Sequence, residues 1–155
     1  MNMNRYLSTG MALAFCLVTA VSAQEAKEQK LKLKDVPAPV VAAAAKAYPS
    51  ARIREWTKET EAGKTQYEAS MVDGATKRDV LFAPNGTVMA VEEVIPITEL
   101  PAAVQNTIKA KYPQGVIHSA EKITGGKEVQ YEVGLKKAAK KEVVLTADGK
   151  VVKEE

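Results

Sequence analysis

The sequence predicts an α+β fold of two tandem repeats, each one helix packed on a four-stranded antiparallel β-meander. Three observations carry that prediction. The chain repeats itself at a fixed spacing, each copy opens on an apolar face of helical period, and each continues in alternating strands that close on an Asn-Gly or Asp-Gly turn.

The repeat comes first because it organises everything after it. At a spacing of 64, Pro37-Ala38 matches Pro101-Ala102, Val40 matches Val104, and Tyr48-Pro49 matches Tyr112-Pro113. Ile53 matches Ile117, Lys58 matches Lys122, Thr60 matches Thr124, and Gln66-Tyr67-Glu68 matches Gln130-Tyr131-Glu132. One deletion later the spacing is 63, pairing Lys77 with Lys140, Val80 with Val143, Gly86 with Gly149 and Val88 with Val151. Matches in one order with a single slip are the mark of a duplication.

Within each copy, Val40, Ala44 and Tyr48, or Val104, Ile108 and Tyr112, recur every four residues and make one apolar helix face. Proline suits the first turn, and Pro49 or Pro113 disfavours helix in the tyrosine before it. A weak strand follows over 51–59 or 116–123. Then Thr65, Tyr67, Ala69 and Met71 alternate with Gln66, Glu68 and Ser70, and Val129, Tyr131, Val133 and Leu135 with Glu128, Gln130 and Glu132. Period two with one apolar face predicts an antiparallel sheet that is wet on its other side. A third strand, 79–83 or 142–146, runs into Asn85-Gly86 or Asp148-Gly149, both strong hairpin signals. A fourth, 88–91 or 151–153, closes the unit. The repeats span 36–93 and 99–155, with 94–98 as linker.

The segments before the repeats read differently. Arg5 precedes an uncharged run from Tyr6 to Val21, followed by small residues up to Ala23. This is the pattern of a secretory signal peptide over 1–23, cut after Ala23. The uncharged run is shorter than the roughly 20 residues of a membrane span, so no span is expected after cleavage. Residues 24–35 are polar and read as a flexible arm, or as one in which Leu31 and Leu33 join a strand edge.

Composition excludes several classes. The 155 residues carry 22 basic and 19 acidic side chains, and +3 is too weak a charge for a nucleic-acid binder. The one Cys, Cys16, sits inside the signal run, and one His leaves no multi-histidine metal site. His118 reads as a solvated strand residue. No Ser/His/Asp or Cys/His set, phosphate loop or haem motif is present, so neither catalysis nor a cofactor is expected.

The residues Pro37, Val40, Tyr48, Pro49, Tyr67, Asn85, Gly86 and Val88, with Leu100, Pro101, Val104, Tyr112, Pro113, Tyr131, Asp148, Gly149 and Val151, resemble the PepSY-like family. The tandem form is similar in fold to secreted β-lactamase inhibitory proteins. The resemblance implies an exported, non-enzymatic protein that binds or inhibits other proteins in the cell envelope. A small-ligand or metal-ion carrier using a groove between the copies, and a structural envelope component, are the alternatives.

For a contact surface the sequence offers two candidates. Trp56 shares strand parity with Arg52, Arg54 and Lys58, which would put an exposed Trp on a basic row able to anchor a protein partner, the alternative being that it packs under a loop. Lys136, Lys137, Lys140 and Lys141 form a basic hairpin tip. It could meet acidic partners or simply be solvated.

Overall fold

A computed structural model describes residues 27–61 and 63–155. The expected signal peptide lies outside the described residues. Nine strands run in chain order: β1 (Lys27–Leu31), β2 (Arg52–Glu61), β3 (Lys64–Asp73), β4 (Thr76–Phe82), β5 (Val88–Val94), β6 (Val116–Thr124), β7 (Gln130–Lys136), β8 (Glu142–Thr146) and β9 (Val151–Glu154). Helices α1 (Ala38–Ala47) and α2 (Ala102–Lys111) precede β2 and β6.

Local chemistry sets the helices much as the sequence predicts. Pro37 and Pro101 stand at their N-caps, and each helix ends at a tyrosine whose backbone leaves the helical region. The Tyr48 and Tyr112 N–H groups still donate to Ala44 and Ile108, at 2.9 and 2.8 Å. Val40, Ala44, Val104 and Ile108 are the buried helix residues.

The sheet does not follow the expected plan of two units, each with its own four-stranded meander. The described residues form one nine-stranded antiparallel sheet in the order β1 to β9. Two features overturn the prediction. β5 extends past Val91, so that Val91, Glu92, Glu93 and Val94 pair with Thr124, Ile123, Lys122 and Glu121 of β6. The second is that residues 27–31 of the expected flexible arm are a strand, with Lys27 opposite Thr60 and Leu31 opposite Trp56. The physical reason is the same for both: separate meanders would leave rows of backbone N–H and C=O groups unpaired at β2, β5 and β6, and pairing satisfies them.

Both helices cover one face of this sheet. Val40 and Ala44 of α1 pack with Val36, Trp56, Ala69, Met71, Val80 and Phe82. Val104 and Ile108 of α2 pack with Ile95, Leu100, Ala120, Val133, Leu135, Val143 and Leu145. Each fully buried aliphatic side chain here contributes about 1.5–3 kcal/mol.

The closing hairpins lock onto the helices. Gly86 and Gly149 both have φ +85°, and a Cβ would sit 2.5 Å from the Pro39 carbonyl oxygen or 2.7 Å from that of Ala103. The Asn-Gly and Asp-Gly signals thus serve the turn and a close approach to the first helical turn.

A carboxylate-rich sheet face as candidate binding site

The face opposite the helices is reached by following register across the strands. In β2 the pairing slips between Ile53, opposite Met71, and Glu55, opposite Ser70. Arg54 is the extra residue of a β-bulge, and a bulge exchanges which side chains face which side. Beyond it Trp56 pairs with Ala69, and both are buried under α1. β6 repeats the device: the slip lies between Ile117 and Ser119, with His118 as the extra residue.

This bulge corrects the expected basic row. Trp56 is 6% exposed and belongs to the core. Arg52 and Arg54 are exposed at the start of β2, and Lys58 is half-buried opposite Tyr67 on the helix side. These side chains therefore do not form one surface row around an aromatic anchor. Lys136, Lys137, Lys140 and Lys141 are all exposed at the β7–β8 tip. There Lys137 adopts φ 56°, and the Lys141 N–H donates to the Glu155 carbonyl oxygen at 2.6 Å.

What the register brings together instead is acidic. Ser70 opposes Asp79, and Asp79 opposes Glu92. Glu92 opposes Ile123, and two residues along β6 Glu121 opposes Glu132. Glu68 on β3 and Glu142 on β8 share the parity of this face. Carboxyl groups thus project from six neighbouring strands, β3 to β8, on the side without helices. Between them stand Leu81, Ala90, Ile123 and Val144, all buried.

The electrostatics of this face are unusual. Glu92 is 6% exposed, and its Oε1 has no hydrogen-bond partner; Oε2 of Glu132 has none either. Burial, followed by the charges of Glu132, Glu121, Glu68 and Asp79, pushes Glu92 up to about 9. Burial and then Glu121, Glu142 and Glu155 push Glu132 up to about 8, with Lys153 pulling the other way. Glu68 rises to about 7 through burial and Asp79, against a hydrogen bond from Ser70. Asp79 and Glu121 are raised as well, chiefly by burial. Like charges in a partly desolvated array disfavour ionisation of one another.

The helix side handles charge differently. Arg78 donates to Glu93 at 2.7 Å and to Asp73 at 3.1 Å, and its guanidinium lies 5.6 Å from the Tyr48 ring centre. In the second half, Tyr112 and Lys111 both donate to Glu154. These acids are paired; the central ones of the outer face are not.

Among the described residues, no three His, Cys, Asp or Glu side chains are grouped to hold a metal ion. None of their helices is long and apolar enough to cross a membrane. The alternating Gln66, Glu68, Ser70 and Gln130, Glu132 were the sequence signal for this face, read there only as a wet side.

Comparison with known proteins places the chain. A "putative periplasmic protein" from Bacteroides eggerthii superposes with a TM-score of 0.64 at 23% identity, covering 77% of this chain and 88% of that one. A DUF2874 family protein from Bacteroides uniformis gives 0.63 at 22% identity, with the same coverage. A BLIP-like protein from Bacteroides fragilis gives 0.57 at 22% identity, covering 76% and 83%. At such identities the likeness is one of fold. No curated protein matches the chain. The family described as "Putative beta-lactamase-inhibitor-like, PepSY-like" matches twice, over residues 21–75 and 65–153. Over nearly all of its described length, then, this chain belongs to the PepSY-like family.

Proposed function

We propose that the chain is an exported, non-enzymatic protein-binding module, acting in the periplasm or after secretion, and that the carboxylate-rich sheet face is its main contact surface. The observation that carries this is the unmatched acidity of that face. Burying carboxyl groups without donors is costly, and a partner that supplies donors recovers the cost on binding. The family's inhibitor-like description and the periplasmic description of a structural neighbour support the class and the compartment. The basic tip at Lys136, Lys137, Lys140 and Lys141, together with Arg52 and Arg54, is proposed as a peripheral contact region.

The test is a pull-down from periplasmic extract with the chain from residue 24 onward, repeated with Glu68→Lys and Glu121→Lys. A protein retained in stoichiometric amount by the wild type and released by either reversal is the expected result. Retention of no protein, or retention indifferent to both reversals, would sink the proposal.

A further inference from the structure

The proposed contact face also specifies the chemistry of what it contacts, and the inference drawn here rests on that reading. Glu92 and Glu132 offer carboxyl oxygens as acceptors, and each keeps one buried oxygen without a partner. Around them the acids Glu68, Asp79, Glu121 and Glu142 share this face, while the basic residues of the same parity on β3, β4 and β7, Lys64, Lys77 and Lys136, stand at the strand ends. One opposing charge that acts on Glu132 is Lys153 of the last strand, on the far side of β8. Such a surface is complementary to cationic N–H donors, and the guanidinium fork can satisfy two carboxyl oxygens at once. A metal ion fits less well, since no three ligands are grouped among the described residues.

We propose that this face receives a basic loop of a partner protein, one Arg or Lys side chain of which is bound at Glu92 and Glu132. The remaining acids steer the loop toward that point. Because both carboxyl groups hold protons well above the usual range, bringing a cation to them expels protons. Affinity therefore rises with pH. The groups that set this coupling are Glu68, Asp79, Glu121 and Glu132 around Glu92, and Glu121, Glu142, Glu155 and Lys153 around Glu132.

The probe is a fluorescein-labelled peptide of alternating Gly and Arg, with a Gly-Glu peptide as charge-reversed control, followed by anisotropy. The wild type is expected to bind the Arg peptide and not the Glu peptide, more tightly at about pH 8.5 than at about pH 6. The double variant Glu92→Gln/Glu132→Gln is expected to lose about tenfold or more in affinity, the loss of a charged hydrogen-bonded pair. Lys109→Gln, exposed on α2, should bind as wild type. A melt monitors folding, and the Gln pair should melt no lower than the wild type at about pH 8. Equal binding by the Gln pair, equal binding of the Glu peptide, or no binding of the Arg peptide at either pH would overturn the inference. So would calcium ions or free spermidine displacing the peptide at concentrations below its own. A periplasmic partner still held by the Gln pair but released by Glu68→Lys overturns this inference alone and leaves the protein-binding reading standing.

Discussion

Glu92 on β5 and Glu132 on β7 face the same side of the sheet, separated by β6, and each leaves one carboxyl oxygen without a donor. Their charges oppose one another: Glu132 is the strongest charged neighbour raising Glu92. Both therefore hold protons in the folded chain that an unfolded chain would release from about pH 4.5 upward.

A pH dependence of stability follows. Between the unfolded value near 4.5 and the folded values of about 8 and 9, the native state binds more protons than the unfolded one. Stability is then complete below about pH 4.5 for these groups and is lost as pH rises toward 9. Glu92→Gln/Glu132→Gln should flatten that slope and raise stability at pH 8 by on the order of 2 kcal/mol. Urea unfolding at a series of pH values measures it; a wild-type slope unchanged by the double substitution would contradict the assignment.

Trp56 should behave as a core residue. Trp56→Ala is expected to cost about 3–5 kcal/mol by opening a cavity under α1. As the only Trp in the chain, it should be shielded from acrylamide quenching until the protein unfolds. Ready quenching in the native state would show it on the surface.

Gly134 should be hard to replace. It lies opposite Ser119 beside the β6 bulge, and a Cβ there would collide with the Ser119 hydroxyl and approach the His118 ring to 3.1 Å. Gly134→Ala is expected to cost roughly 1–3 kcal/mol, and Ser119→Ala should recover part of the loss in a double-mutant cycle. Strict additivity of the two would refute the contact.

Gly86→Ala and Gly149→Ala should each cost on the order of 2–3 kcal/mol, from positive φ plus contact with the Pro39 or Ala103 carbonyl. The two sites share no neighbour, so their costs should add within about 0.5 kcal/mol. Thermal melts of the singles and the double decide this.

Elements of short range were legible in the sequence: the Val40/Ala44 and Val104/Ile108 faces, the Asn85-Gly86 and Asp148-Gly149 turns, and the alternation around Tyr67 and Tyr131. Three features were not. The bulges at Arg54 and His118 carry no residue signature, yet Arg54 moves Trp56 from the expected outer row into the core. The pairing of β5 with β6 is a contact between the copies that no pattern within one copy encodes. The acidic face follows only once that pairing is known, since it draws its carboxyl groups from both halves. Glu92 and Glu121 lie 29 residues apart in sequence and on adjacent strands in the sheet.

The strictly sequential strand order bears on how the chain reaches this state. Because every strand pairs only with its neighbours in sequence, most sheet contacts close over short spans of chain. Low contact order favours rapid folding for a β-rich protein. Any hairpin can act as a nucleus, and the sheet can grow outward from it one strand at a time. Two closures are slower: β1–β2, which spans α1, and β5–β6, which spans α2 and joins the two halves of the sheet. A chain halted before the β5–β6 step would present two half-sheets with bare inner edges, and the two halves of the carboxylate array would never meet.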